Sequence, residues 1–359
     1  ASVSASRSAR YCSRFSSSYL QSPSSETEPE KYLAWISQLQ IAQQFDLVIP
    51  VTEITSQLLL MNKSRLNTLK LPFAAYETVM QLADKGNLVE SALSLGVPCP
   101  QSQRFACAAD LTLDDVKFPV VLKPCLSKIF TADKWIATTV RVLHSKDDLV
   151  KTLARDTYLN NSAFMLQEFI PGHGAGVFCL YHHGKPLAFF AHERLREKPP
   201  QGGVSVLSQS VAVDPQLKDY AIRLLNGVQW HGVAMIEFRV NPEGKAYLME
   251  VNTRFWGSLQ LAIDSGVDFP ALLVEAERTQ QTTAVSSYVL GQKLRWLLGD
   301  LDSLYIFLKS PTSISQKIAR LLAFLRPHFF KCRHEINRLN DFAPAKYEFT
   351  LYIKQLLGR

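Results

Sequence analysis

The chain has 359 residues, 47% of them hydrophobic and 20% charged, with a net charge of +7, enough to bury the cores of two or three domains. No apolar run reaches the roughly 18 residues of a spanning helix. Cys12, Cys99, Cys107, Cys125, Cys179 and Cys332 form no C-x-x-C pair, which excludes zinc-finger and redox-pair spacing and reads as reduced, cytoplasmic, mostly buried thiols.

The first 25 residues hold eleven serines, Arg7, Arg10 and Arg14 and no acid, a bias similar to that of organelle transit peptides. A helix is expected over Glu28 to Phe45, a buried strand over Asp46 to Pro50, and an apolar helix from about Thr55. Asp84-Lys85 falls where a helical stretch ends, so Lys85 can complement a helix C-terminus. Gly96-Val97-Pro98 closes a further helix. Phe118 to Leu122 is apolar at four of five positions among its five and is followed by Lys123; a buried strand ending there projects an ammonium into a cleft. That strand, one over Trp135 to Leu143 and one over Phe164 to Ile170 are expected to form a small sheet, and the last stops at Pro171-Gly172. Strands near Val177, Leu187, Val204 to Val213, Met235 and Leu248 are expected to form a larger one. His173 and His182-His183 read as structural or solvated.

The most informative element is a hairpin. Ala234 to Val240 and Lys245 to Asn252 flank Asn241-Pro242-Glu243-Gly244, the residue order of a type I turn. Pairing Asn241 with Gly244 sets Glu237 opposite Leu248. It places Leu248, Glu250, Asn252 and Arg254 on one face with Met235, Glu237 and Arg239, and Met249 on the other. Glu237 and Glu250 then become diagonal neighbours about 7 Å apart, a spacing that calls for a cation between them. Two carboxylates and the Asn252 amide oxygen are hard donors, which suits Mg²⁺ shared with substrate phosphates.

The C-terminal region from Gly291 to Arg359 carries all of the net charge, with twelve Lys and Arg against five Asp and Glu. Ile318, Leu321, Leu322, Leu325 and Phe329 recur at helical spacing among Lys317, Arg320, Arg326, Lys331 and Arg333, and Pro327 is expected to kink or split that helix. Such a stretch either packs as a helical hairpin on the main body or touches an anionic membrane surface or an acidic partner. Nucleic acid is not expected, since no recognition module accompanies it.

Glu250-Val251-Asn252-Thr253-Arg254, with Gly257-Ser258 beyond and Glu237 upstream, resembles the metal-binding signature of the ATP-grasp superfamily. Phe118 to Pro124 resembles the strand whose lysine contacts nucleotide phosphates, Gln167-Glu168-Phe169-Ile170-Pro171-Gly172 the adenine hinge, and Asp84-Lys85 the family's other ATP lysine. The resemblance spans about Asn62 to Arg278 and is closest to the carboxylate-amine ligase-like branch. It implies an α/β (α+β) ATP-grasp fold in which two subdomains clasp ATP. The expected division is an incomplete Rossmann-like lobe over 1–83, the ATP-grasp domain over 84–280 (small subdomain about 115–170, large about 171–280) and a basic helical region over 281–359. Ala9-Arg10-Tyr11-Cys12-Ser13 resembles a stretch that follows the second strand of such a lobe, whose opening strands are then expected to be absent or degenerate.

The site residues follow from the same resemblance: ATP held by Lys85, Lys123, Gln167, Glu168, Phe169, Ile170, Arg194 and Met249, Mg²⁺ or Mn²⁺ by Glu237, Glu250 and Asn252, and the acceptor carboxylate by Arg254. The family's glycine-rich phosphate lid has no counterpart in Pro124 to Lys134, where Ser127, Lys128 and Lys134 offer side-chain donors instead. Gln201-Gly202-Gly203-Val204-Ser205, after Arg194 and Arg196, is a second lid candidate. The implied activity is an ADP-forming ligase that couples small-molecule carboxylates to amines. A kinase using the same nucleotide site and a non-catalytic nucleotide-binding scaffold are the alternatives.

Overall fold

Alternation and continuity of apolar residues separate two sheets. In the computed structural model, residues 2–4, 12–131, 134–200, 202–280, 283–326 and 331–358 are described. The N-terminal part pairs β1 (Ser2–Ser4) with β2 (Tyr19–Gln21) in parallel and continues into α1 (Pro29–Gln43) and α2 (Glu53–Met61). Thr52 caps α2, accepting the Thr55 N–H at 3.2 Å. Tyr32, Leu33 and Ile36 of α1 pack on Ile54, Leu58 and Leu59 of α2. The run Asp46 to Pro50, expected as a strand, is irregular. Its Val48 N–H reaches the Lys70 carbonyl, and a lone bond does not make a ladder. Ala9, Arg10 and Tyr11 of the motif near the N-terminus lie outside the described residues.

Helices α3 (Tyr76–Ala83) and α4 (Lys85–Ser94) meet at Asp84, whose carboxylate accepts the Gly86 and Asn87 N–H groups. Lys85 therefore opens a helix rather than closing one. The small sheet contains β3 (Ser102–Phe105), β4 (Val120–Pro124), β7 (Arg141–Leu143) and β8 (Phe164–Glu168) in the order β3-β8-β4-β7. Helix α5 (Lys146–Arg155) covers it, with Leu149 fully buried beside Leu122 and Phe164. Trp135 does not join this sheet. It belongs to a separate hairpin of β5 (Lys128–Thr131) and β6 (Lys134–Ala137), and its ring is buried against the α1–α2 core.

The large sheet runs β13-β12-β9-β10-β11-β14-β15: β9 (His173–His182), β10 (Lys185–Lys198), β11 (Val204–Val211), β12 (Gly232–Val240), β13 (Ala246–Asn252), β14 (Lys293–Arg295) and β15 (Cys332–His334). Val177 to Tyr181 of β9 are wholly inaccessible, the continuous apolar run of a strand covered on both faces. Helices α6 (Pro215–Gly227) and α8 (Phe269–Thr279) supply Leu224, Leu225 and Leu273 to that core, and α3 and α4 supply Val79 and Leu88. Helix α7 (Leu259–Asp264) precedes α8.

The C-terminal region is not purely helical, because β14 and β15 extend the large sheet and α9 (Leu297–Lys309) packs beneath it. Arg196, Arg295 and Arg320 close on the fully buried Asp300 at 2.7, 2.7 and 3.2 Å. Helix α10 (Ile314–Leu325) has no buried residue, and α11 (Ala343–Leu356) buries Ala345. The expected kink at Pro327, and Phe329 with it, lie outside the described residues. No described helix is long and apolar enough to cross a membrane.

The two sheets are joined by Phe169 to Gly172. Gly172 has φ +127°, and a Cβ there would run into the Val240 carbonyl oxygen. Gly172→Ala should lower unfolding stability by roughly 1–3 kcal/mol, read as a reduced urea midpoint; an unchanged midpoint would contradict this account of the junction.

Candidate functional site

The β12–β13 hairpin departs from the expected register twice. Gly244 adopts φ +82° and donates to the Asn241 carbonyl at 3.0 Å. Asn241 then pairs with Lys245 instead of Gly244, its N–H donating to the Lys245 carbonyl at 3.0 Å. This one-residue slip puts Leu248 opposite Phe238, and both face the core. A bulge at Met249 restores the phase, so Glu237 stands directly opposite Glu250 rather than diagonal to it. Met249 is correspondingly turned to the carboxylate side, where its Sδ lies 3.6 Å from Lys123 Nζ.

Around the two acids the chain gathers polar groups from four elements. The Asn252 amide donates to Glu237 Oε1 at 3.1 Å and to Glu250 Oε1 at 3.3 Å, and its Oδ1 accepts from Arg254 at 3.3 Å. Arg194 reaches Glu237 Oε2 at 3.2 Å from β10. The intervening β9 presents Gly174 and Gly176 opposite Arg239 and Glu237, which leaves room for that guanidinium to cross. Lys85 Nζ, almost fully buried, sits 3.6 Å from Glu250 Oε2 and donates to Ser127 Oγ at 2.9 Å. Burial pushes the Glu237 carboxyl up, repulsion from Glu250 adds to it, and Arg194 and Arg254 oppose it. Burial likewise brings the Lys123 ammonium down to about 8, with Glu250 opposing.

The hinge residues are spread unevenly. The buried Gln167 amide donates to Ser102 Oγ at 2.9 Å and so turns into the small sheet. Glu168 accepts the Gln101 N–H at 3.3 Å, Phe169 is about one-third exposed, and the Ile170 carbonyl accepts from Arg239 at 3.3 Å. Arg194 and Arg196 part company because a bulge at Leu195 sends them to opposite faces. Arg194 enters the carboxylate cluster, whereas Arg196 goes to Asp300 and is removed from phosphate binding. The two lid candidates differ as well. Ser127 borders the docked β5–β6 hairpin; of the second, Gln201 lies outside the described residues and Val204-Ser205 begin β11.

One acid escaped the sequence reading. Glu53, the first residue of α2, feels Arg254, Lys85, Glu250 and Lys128, and burial raises its carboxyl. The available signal was Thr52, whose hydroxyl makes 52–53 a helix start and so fixes where Glu53 points. Ser258, just past the motif, bonds His192 Nε2 at 2.9 Å and ties the segment after β13 to β10.

A family model described as ATP-grasp in the biosynthetic pathway with Ter operon matches residues 160–299. The chain has the ATP-grasp fold. Among curated relatives, a D-alanine--D-alanine ligase of Aquifex aeolicus is 24% identical over 222 residues, 58% of this chain and 73% of the relative. Among solved structures, an L-amino acid ligase from Bacillus licheniformis superposes with a TM-score of 0.57 at 19% identity, covering 73% of this ATP-grasp chain and 63% of that one. The biotin carboxylase domain of the Hydrogenobacter thermophilus 2-oxoglutarate carboxylase, solved with MgADP, ADP and bicarbonate, gives 0.58 at 12% identity over 73% and 61%. The chain thus spans less than two thirds of both solved neighbours, and the likeness in structure concerns the ATP-grasp fold.

Lys123 offers a test of the site's electrostatics. Its native value, near 8, is below the usual lysine value of 10.5, so the unfolded chain holds more protons between those values and stability rises with pH there. Lys123→Met should therefore be more stable than the parent at neutral pH without ligand, by up to the order of 3 kcal/mol. The advantage should shrink as pH rises from about 8 toward 10.5. Urea unfolding at both ends of that range decides it, and a pH-independent difference would contradict the burial argument.

Proposed function

We propose that the chain is an ADP-forming ligase of the carboxylate-amine type, acting on a small carboxylic acid and an amine. The observation that carries this reading is the direct opposition of Glu237 and Glu250, with Asn252 and Arg254 on the same side and Lys85 and Lys123 facing them. Two carboxylates and an amide that also carries an oxygen form a hard donor set that fits Mg²⁺ or Mn²⁺. When bound there, that ion neutralises charge on the β- and γ-phosphates.

The remaining work falls to the chain's own groups. Lys123, on the last turnable position of β4 before Pro124, and Lys85, at the start of α4, hold the phosphates as point charges from two directions. Arg194 grips a phosphate oxygen once the ion takes over Glu237. Met249 walls the nucleotide on the large-sheet side, and the backbone of Glu168, Phe169 and Ile170 lies where the purine edge would be read. Arg254 orients the acceptor carboxylate, one oxygen of which attacks the γ-phosphorus as ADP departs. The amine then attacks the carbonyl carbon of the acyl phosphate, a C–N bond forms and inorganic phosphate leaves. Glu53 gives the acceptor side a carboxylate to receive the proton that the amine sheds. Closure over the site keeps water from the acyl phosphate in the meantime, which assigns a gating role to the Ser127 segment.

The test is a screen of amino acids and small carboxylates for ADP and phosphate release. The expected result is equimolar ADP, phosphate and adduct with one acid-amine pair, and loss of at least about 10³-fold in turnover in Glu250→Gln with unchanged folding. ADP without phosphate would replace the ligase with a kinase, and full activity in Glu250→Gln would remove the metal assignment.

A further inference from the structure

Far from the nucleotide cleft, at the opposite end of β9 and β12, three imidazoles and a carboxylate converge. His182 ends β9, His183 occupies the turn before β10 at φ +45°, His231 immediately precedes β12, and Glu277 projects from α8. One ligand-capable atom from each lies within 4.8 Å of all the others. His231 Nε2 is 3.1 Å and His182 Nε2 3.6 Å from the same oxygen, Glu277 Oε1. Donors held about 2.0–2.2 Å from a tetrahedral zinc ion sit roughly 3.4 Å from one another, and the two observed spacings bracket that value.

Hydrogen bonding leaves the cluster unfinished. His182 Nε2 and Glu277 Oε1 are both buried and neither has a hydrogen-bond partner, a condition that native interiors avoid unless something else meets the two atoms. A single cation meets both. His182 Nε2 meets no donor or acceptor of the chain and is free to act as a ligand atom. His183 is exposed, so the cluster has an entrance from solvent.

We propose that His182, His183, His231 and Glu277 bind one late first-row divalent ion, zinc in the first instance, that clips three parts of the fold together. Three imidazoles with one carboxylate select Zn²⁺, Co²⁺ or Ni²⁺ over Mg²⁺, the reverse of the all-oxygen set at Glu237 and Glu250. His231 Nδ1 accepts the His183 N–H at 3.3 Å, which leaves the ring proton on Nε2. Loading at Nε2 shifts that proton to Nδ1, which then no longer accepts the His183 N–H. The His183 ring, stacked parallel on His231 with centroids 4.2 Å apart, swings out of the stack to become a ligand, which its place in a turn permits. The ion then joins α8 to the β9–β10 turn and to His231, whose carbonyl accepts the Ala74 N–H. This site is independent of the ligase reading.

The experiment is calorimetric titration of the chelator-stripped full chain with Zn²⁺, in two buffers of different ionisation heat. The expected result is one tight equivalent, undisturbed by excess Mg²⁺ and retained in Glu250→Gln. Co²⁺ should give the visible bands of a tetrahedral N/O site. His183→Asn, at an exposed turn position where asparagine suits positive φ, and Glu277→Gln should each weaken binding about tenfold or more. Absence of a tight equivalent, or an equivalent that persists unweakened in the His183→Asn/Glu277→Gln double variant, would overturn the proposal. The double variant's melting curve establishes that it is folded, and in a folded protein its binding decides the matter.

Discussion

Two carboxylates directly across an antiparallel pair repel, and the site is built around containing that repulsion. Like charges in facing positions destabilise a sheet, yet Glu237 and Glu250 occupy such positions. Asn252 bridges them with its amide hydrogens, Arg194 and Lys85 flank them at 3.2 and 3.6 Å, and Lys123 approaches from the other sheet. On the proposed reading, these groups concentrate negative charge that is then shared with a ligand. A core that merely needed stability would place apolar residues at both positions.

The containment draws on elements far apart in sequence. Lys123 and Met249 touch across 126 positions, which makes the contact between the small and large sheets part of the site itself. The glycines at 174 and 176 let Arg194 cross β9, and Gly172 lets the chain pass close to β12 on its way there. Glu53 brings the N-terminal part into the same field, and Trp135 anchors the β5–β6 hairpin to it. A change at the Phe169 to Gly172 junction would therefore alter the contact between Lys123 and Met249.

Local patterning made much of this readable. The apolar runs at Val120 and Val177, the turn residues Asn241 to Gly244 and the helix from Glu28 signal their elements through periodicity and turn chemistry, and the structure has them. Register was harder, because a left-handed Gly244 shifts the pairing by one and the Met249 bulge shifts it by one more, which restores the faces but not the partners; composition gives no sign of the second event. For the same reason Arg194 and Arg196, which simple alternation would put on one face, are sent apart by the Leu195 bulge. Asp46 to Pro50 has the composition of a strand, but a strand exists only with a partner, and there the chain supplies a single bond. Lys293–Arg295 and Cys332–His334 are three residues long, too short for a period to show. Glu53, and the meeting of His182, His183 and His231 with Glu277, are tertiary facts that no local rule reports.

The central claim is that Glu237, Glu250 and Asn252 hold a divalent ion together with a nucleotide. Electron paramagnetic resonance of Mn²⁺ added to the full chain tests it most directly, with ATP absent and then present. The account predicts weak Mn²⁺ binding alone, tightening by an order of magnitude or more with ATP and lost in Glu237→Gln. A spectrum of bound Mn²⁺ that is indifferent to ATP, or that survives Glu237→Gln unchanged, would contradict it.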